Sequence, residues 1–377
     1  MPQRRRHLIW SLVLVVLASS MYAIRVRTEM ADFEVYRTAA VRARDAEPLY
    51  RAEDGHYQYK YLPAFALAMA PFTWVGPEAA KPAWYALSVG LLVVFIRWSV
   101  RALPSRCLTE PALLWCAALF MGKFYAHELN LGQSNILLGA VLVASLLSVQ
   151  ARRHVLAGVF VGLGVFVKPY AVILLPWLLV SAGTNGVLAA ATVLAAGLLM
   201  PAAVYGWQGN IELLAGWYRT VTDTTAPNLL GGDNVSLTAM WAKWIGVGPL
   251  ATRLAVATGL AALAAAGLAI WRRHRVAEPA YLEFGLLMLL IPLISPQGWD
   301  YVLLLATPAV LCLADRFRDV SLLWRVTTAV AIGLMSFTIF DVLGRALYAR
   351  LMGVNIVSVA ALVLVVCLVH LRQRALA

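Results

Sequence analysis

Charge is scarce in this sequence. Of 377 residues, 13% are Asp, Glu, Lys or Arg, about half the usual share of a soluble domain. Acidic residues are the scarcer sign, 19 against 31 Lys plus Arg, which leaves a net charge of +12. Cysteine is also rare. Cys107, Cys116, Cys312 and Cys367 are scattered, mostly within apolar runs, and form no CxxC pair. That spacing provides neither a zinc site nor a disulfide framework. HExxH, P-loop and GxGxxG motifs are absent, so the usual local signatures of a zinc hydrolase or a nucleotide site are missing. What the chain has in excess is apolar sequence: 62% of residues are hydrophobic and the mean hydropathy is +0.76. One soluble core cannot absorb that much, so the chain reads as all-α and membrane-embedded. Disordered, collagen-like and disulfide-scaffold classes are excluded on the same composition. The basic balance then reports topology and not nucleic acid, because Lys and Arg collect in cytoplasmic loops.

The first apolar run, Leu8–Ile24, follows Arg4, Arg5 and Arg6. It lacks a clear small-residue cleavage site and is expected to be an uncleaved first span with its arginines inside. Further runs occupy 80–98, 111–127, 135–150, 155–182, 184–204, 250–271, 278–295, 301–314, 322–341 and 354–371. Basic clusters separate several of them: Arg97/Arg101/Arg106, Arg152/Arg153, Arg272/Arg273/Arg275, Arg316/Arg318 and Arg372/Arg374. The positive-inside rule wants all of these on one side. Two segments decide whether that is possible. Tyr61–Val75 carries Pro63 and Pro71 and reads as a short helix at the outer interface. The run 155–182 is interrupted by Lys168-Pro169. Proline ends a helix there, and a lysine at the bilayer centre costs about 2.5–3.5 kcal/mol on insertion scales. Two short spans that meet at Lys168, near the outer surface, avoid that cost. The expected architecture is a single polytopic domain over 1–377 with about twelve spans. Both termini are then cytoplasmic, and two long non-spanning stretches, 25–79 and 205–249, lie outside. No soluble domain or internal repeat is evident.

The polar residues are one-sided in this arrangement. The first outer stretch mixes acids (Glu29, Asp32, Glu34) with cations (Arg37, Arg42, Lys60) and aromatics (Phe33, Tyr36, Tyr59, Tyr61). Lys123, His127, Glu128, Asn130, Gln133, Asn135, Lys168, Ser295, Gln297 and Asp300 fall at predicted outer ends of spans. A transporter places its ionisable groups near the midplane. A cluster at the outer boundary suits a site that meets a lipid head group from the side and a polar molecule from the water. Aromatic faces pack on a sugar ring, and cations hold a phosphate.

The stretches Asp32-Phe33-Glu34-Val35-Tyr36, Pro48-Leu49-Tyr50 and Tyr59-Lys60-Tyr61-Leu62-Pro63-Ala64-Phe65-Ala66 resemble the first outer loop of glycosyltransferase family 87, polytopic enzymes of the GT-C type. Gly132-Gln133-Ser134-Asn135, Val167-Lys168-Pro169, Asn234-Val235-Ser236-Leu237 and Ser295-Pro296-Gln297-Gly298-Trp299-Asp300-Tyr301 are similar to later landmarks, in the expected order. The resemblance implies a hexosyltransferase, mannose being the expected sugar, that uses a polyprenyl-phosphate donor. The acceptor is then a lipid or glycan on the extracytoplasmic side of the plasma (inner) membrane. It also implies a first-loop acid as catalytic base, and Asp32 occupies that position. No cofactor is implied, although a divalent metal held by Asp32 and Glu34 stays open. Membrane lipids are the expected surroundings and nucleic acid is not a partner. The chain departs from the pattern after Trp299, where some members carry a histidine and this one has Asp300-Tyr301.

Each candidate also has an ordinary reading. Asp32 is one of several loop acids. Glu34 shares a face with Asp32 if the segment is extended and not if it is helical; it either binds acceptor or is a surface ion pair. Tyr36 and Tyr61 offer rings to a sugar. Lys60 either binds phosphate or anchors the interfacial helix. Lys168 either neutralises the donor phosphate or snorkels. Gln133 and Asn135 line the cavity or close a polar turn. Trp299 and Asp300 contact substrate, or Asp300 caps the apolar run that follows it. Asn234-Val235-Ser236 is a formal glycosylation sequon of the kind chance produces. Gly162 and Gly164 suit close helix packing. The competing functions are a transporter or flippase of lipid-linked sugars, and a polymer ligase with a similar outer cavity.

Overall fold

The computed structural model describes residue 16 and residues 18–374. The arginines at 4–6 and most of the expected first span lie outside the described residues; of that span, residues 18–24 are helical. Tyr85 donates to the Ala18 carbonyl at 3.0 Å, which ties this helix to the bundle. Helices are numbered from the first that lies wholly within the described residues. In order they are α1 (Ala31–Arg44), α2 (Pro63–Ala68), α3 (Pro77–Ala102), α4 (Glu110–Leu131), α5 (Asn135–Gln150), α6 (His154–Val167), α7 (Leu175–Leu199) and α8 (Ala202–Asn228). They continue as α9 (Leu237–Ile245), α10 (Pro249–Trp271), α11 (Ala280–Ile294), α12 (Thr307–Asp315), α13 (Leu322–Phe337), α14 (Phe340–Gly353) and α15 (Ile356–Arg374). Among the described residues there is no strand, as the composition predicts.

Among the described residues, four helical stretches are each long and apolar enough to cross a membrane, the second of them kinked at Gly183: Pro77–Ala102, Pro169–Leu199, Pro249–Arg275 and Ile356–Arg374. Shorter apolar helices, α5, α6 and α11, pack between them. α11 is buried all round, from Tyr281 to Leu293 except Leu282, as befits the centre of a bundle. The expected span 301–314 is a 3-10 helix, Asp300–Ala306, followed by α12. The steeper rise of 3-10 geometry lets these few residues cover roughly 27 Å, close to a hydrocarbon thickness of about 30 Å.

The break at Lys168-Pro169 is present. α6 ends at Val167, Lys168 is extended, and a 3-10 turn over Pro169–Leu174 leads into α7. Gly183, at φ +65°, breaks the chain a second time. Gly158 abuts the backbone of Gly186, Gly162 meets Ala190 and Val193, and Gly197 meets the Phe166 ring. The contacts advance together along both segments, so α6 and the latter part of α7 run parallel, and 169–182 must return between them. A Cβ on Gly158 would lie 1.9 Å from the Gly186 carbonyl oxygen, so only glycine permits this approach. The expected helix break at Lys168-Pro169 is thus seen in the backbone. The stretches expected as loops, 25–79 and 205–249, are largely helical: they hold α1, α2, most of α8 and α9. The apolar run 322–341 is cut short at Phe337, and α14 turns away from α13 by 100°.

The basic clusters meet at one end of the bundle. Gln150 donates to the Ala102 carbonyl at 2.7 Å, and Arg316 donates to that of Ser105 at 2.6 Å. The Cys107 and Leu108 N–H groups bond the Asp315 carboxylate. Arg273 reaches Ser181 at 2.9 Å, and Arg374 reaches the Asp319 carbonyl at 2.5 Å. At the same end Glu283, fully buried, is held by Arg372 at 2.5 Å and Arg273 at 3.5 Å. It is a closed ion pair, as a buried charge requires, and not a free charge along a conduction path.

Candidate active site

The far end of the bundle carries the polar residues. α1 lies there with Phe33, Tyr36, Ala39, Ala40 and Ala43 buried, the three- and four-residue spacing of one helical face. Asp32 and Glu34 stand in its first turn and Arg42 and Arg44 in its last, the order that the helix dipole favours. Because this segment is a helix, Asp32 and Glu34 point in different directions. Glu34 is exposed and ion-paired with Lys81 of α3. Asp32 turns inward, half-buried.

The second component is the turn after α4. Gly132 adopts φ +68°, and a Cβ there would lie 2.9 Å from Phe33 Cβ. Glycine therefore lets the turn press onto α1. The Met30 N–H donates to the Asn130 carbonyl at 2.9 Å, and the Trp84 indole donates to that of Gly132 at 2.8 Å. Gln133 follows at once and becomes the hub. Its Oε1 accepts from Tyr36 at 2.9 Å, Tyr61 at 3.0 Å and Lys168 at 3.5 Å. Its Nε2 donates to the Tyr301 hydroxyl at 3.1 Å, and its amide lies near enough to the Asp32 carboxyl to favour the ionised form. The Tyr36 and Tyr61 hydroxyls are 2.6 Å apart. Lys168 Nζ sits 4.6 Å above the centre of the Tyr61 ring, a cation–π contact. Extended Lys168, at the break between α6 and the Pro169 turn, is what brings that ammonium here.

The electrostatics follow from burial. Desolvation raises the Asp32 carboxyl above the ordinary aspartate range; the Gln133 amide and the charges of Lys168, Lys60 and His56 pull it back down. Burial lowers the Lys60 ammonium, which Asp32 partly restores. Lys60 is half-buried and its ammonium makes no hydrogen bond to the described residues. Its carbonyl accepts from the Trp217 indole at 3.1 Å, which ties the stretch that carries it to α8. The result is one carboxylate within the field of two ammonium groups, beside a cluster of tyrosines. That arrangement can accept a proton from a hydroxyl while holding an anionic phosphate.

Not every candidate joins this cluster. Asn135 is fully buried; its Nδ2 donates to Glu128 at 2.9 Å and its Oδ1 accepts from Tyr170 at 3.3 Å. The Glu128 carboxylate also accepts the N–H groups of Asn135 and Ile136, closing the start of α5. Asn135 supports the turn from behind. Asp300 faces a separate polar group: its Oδ1 lies 3.1 Å from His127 Nδ1. Its N–H donates to the Asp233 carbonyl at 2.9 Å, and Asp233 accepts from Tyr348 at 3.1 Å. Nearby, Lys123 donates to the Thr338 carbonyl at 3.0 Å. Trp299 is half-buried and its ring packs on Gly231. Tyr301, not Asp300, reaches the Asp32 cluster, and its ring also meets that of His127 edge-on at 5.1 Å. Sequence reasoning named Tyr301 only as a neighbour of Asp300. Nothing in the sequence signals that a 3-10 turn starts here and sends adjacent residues to different groups. No three His, Cys, Asp or Glu side chains among the described residues converge as metal ligands.

The sequence model of glycosyltransferase family 87 matches residues 59–296, more than half of the chain. That segment includes Lys60, Tyr61, Gln133, Asn135 and Lys168; Asp32, Trp299 and Asp300 flank it. A curated relative is GPI mannosyltransferase 1 of Aspergillus fumigatus, 33% identical over 147 residues, which are 37% of this chain and 32% of that protein. The chain thus spans about a third of that relative's length in the matched segment. No solved structure matches. With the family match running from Tyr59 through Lys168 to Pro296, the chain belongs to glycosyltransferase family 87.

Proposed function

We propose that the protein is a membrane hexosyltransferase. It moves a sugar, mannose by analogy with its relative's name, from a polyprenyl-phosphate carrier to a hydroxyl of a lipid or glycan acceptor. The observation that carries this reading is the placement of Asp32 beside Gln133, within the field of Lys60 and Lys168. Asp32 takes the proton of the acceptor hydroxyl as its oxygen attacks the anomeric carbon. The bond from that carbon to the phosphate oxygen breaks, and the electron pair leaves with the polyprenyl phosphate. Lys168 and Lys60 stabilise the charge that gathers there. One carboxylate suffices for such a single displacement with inversion. A base raised above the ordinary aspartate range accepts a proton more readily.

The two ends of the bundle support a sidedness for this reading. Basic clusters gather at one end and the Asp32 cluster lies at the other. The positive-inside rule then puts both termini in the cytoplasm and the active site outside the plasma membrane, with about twelve spans when the short apolar helices are counted. A donor carried on a lipid phosphate needs no nucleotide pocket.

The test is incubation of purified protein with a panel of polyprenyl-phosphate sugars and membrane lipids, followed by mass spectrometry of the products. A new glycosidic product is expected from the wild type and none from Asp32→Asn. Transfer retained by a folded Asp32→Asn protein would overturn the assignment. Movement of labelled lipid-linked sugar across vesicles with no new glycosidic bond would favour the flippase reading instead.

A further inference from the structure

Away from the Asp32 cluster, at the end where the basic residues gather, a cavity of about 390 Å³ is lined by Arg97, Trp98, Arg101, Arg106 and Glu110. We propose that it binds the head group of an anionic phospholipid. Arg97 and Arg101 are four residues apart on α3 and so share one face. Like charges at that spacing destabilise a helix, and an anion between them would offset the repulsion. Neither guanidinium has a hydrogen-bond or ion-pair partner among the described residues. Arg106, from the loop after α3, meets only Glu110, at a loose 3.8 Å. Three cations against one carboxylate leave an excess of two positive charges at the cavity wall, which suits a phosphodiester or phosphomonoester.

The surface leading to the cavity identifies that phosphate as a lipid's. Val93 lies one turn before Arg97 on the same row and is 40% exposed. Gly90, a further turn back, has open space where a side chain would stand. An acyl chain can lie along this apolar row while its phosphate meets Arg97 and Arg101. Trp98 supplies the amphipathic ring that favours the head-group level. Basic pockets between spans at a cytoplasmic boundary hold anionic head groups by the same physics, with about 1 kcal/mol from each cation near the surface.

Native mass spectrometry of the full chain, purified in detergent and offered phosphatidylglycerol or phosphatidylcholine, tests the proposal. The wild type should retain phosphatidylglycerol at least about tenfold better than phosphatidylcholine, and Arg97→Gln/Arg101→Gln should lose about tenfold of that retention. Both arginines are exposed, so the fold should survive, and the two single variants should each lose part of the retention. Arg272→Gln/Arg275→Gln, at another basic cluster, should retain the lipid as the wild type does. Excess glycerol 1-phosphate should leave the lipid in place, because it lacks the acyl chains. Equal retention of the two lipids by the wild type would overturn the proposal. So would unchanged retention by the double variant, or full displacement by glycerol 1-phosphate.

Discussion

The backbones of Asn234 and Trp299 pair as an antiparallel bridge and so join two loops that are distant in the sequence. The neighbouring Val235 N–H donates to the Gly298 carbonyl at 2.6 Å. The Asn234 side chain completes the join. Its Nδ2 donates to the Asn228 carbonyl at 3.1 Å, and its Oδ1 accepts from the Ser236 N–H at 3.0 Å. A Cβ on Gly298 would fall 2.0 Å from the Pro292 carbonyl oxygen, so the 295–301 turn can close only with glycine there. Asp300 and Tyr301 hang from this join. Asn234→Ala should cost about 1–3 kcal/mol, the penalty of leaving buried backbone groups unpaired, read as a lower Tm in detergent. Asn234 is fully buried, so despite its sequon it should carry no glycan, and glycosidase treatment should leave the mobility of protein from a glycosylating host unchanged.

Asp32→Asn should lower transfer by about 10²–10⁴, the range for losing a positioned general base, while the protein elutes and melts as a folded species. Glu34→Gln should stay within about twofold, as surface ion pairs carry little energy and Glu34 is engaged with Lys81, away from the cluster. Comparable losses in both variants would mean that the two carboxylates act as a pair.

The acid limb of kcat/KM should report Asp32. Burial raises its carboxyl and nearby cations lower it, so the limb should lie above the pH of a free aspartate. Activity should appear as pH rises through that limb, because the base works only when ionised. Lys60→Gln removes a positive charge that favours the carboxylate, which should move the limb to higher pH. A limb that stays put in this variant would separate Asp32 from the titration.

Gln133→Leu should cost about 10–100-fold in kcat/KM, equivalent to losing one or two hydrogen bonds to charged groups. Its amide contacts Tyr36, Tyr61, Lys168 and Tyr301 at once. Gln133→Glu should instead place a negative charge beside Asp32 and move the acid limb upward. A pH profile unchanged by Gln133→Glu would show that the hub does not reach the base.

Lys168→Met should weaken binding of polyprenyl phosphate by at least about tenfold, as expected when one charge-assisted contact to phosphate is lost. Binding can be followed by competition with a fluorescent polyprenyl phosphate. An unchanged affinity would return Lys168 to a structural role, propping the Tyr61 ring.

Much of this molecule was legible one residue at a time. Scarce charge and long apolar runs announced a helical membrane protein, because burying backbone in hydrocarbon leaves helices as the available option. Lys168-Pro169 announced a break, because proline cannot continue a helix and lysine resists the apolar interior. The prolines after Tyr61 announced a short helix, seen as α2. These are local free energies, and sequence carries them directly. The loops were less legible: the helical spacing of Phe33, Tyr36, Ala39, Ala40 and Ala43 is masked by the charged and aromatic residues around it, and α1 became visible only through its buried face. What only the tertiary structure decided was which polar residues meet. Gln133 became a hub because Gly132 lets one turn press against α1, and Glu34 fell away from Asp32 because that segment is a helix. Tyr301 entered the site in place of its neighbour Asp300 because a 3-10 turn starts between Trp299 and the apolar run. Convergence of this kind depends on long-range packing, for which a single sequence holds no period and no spacing to read.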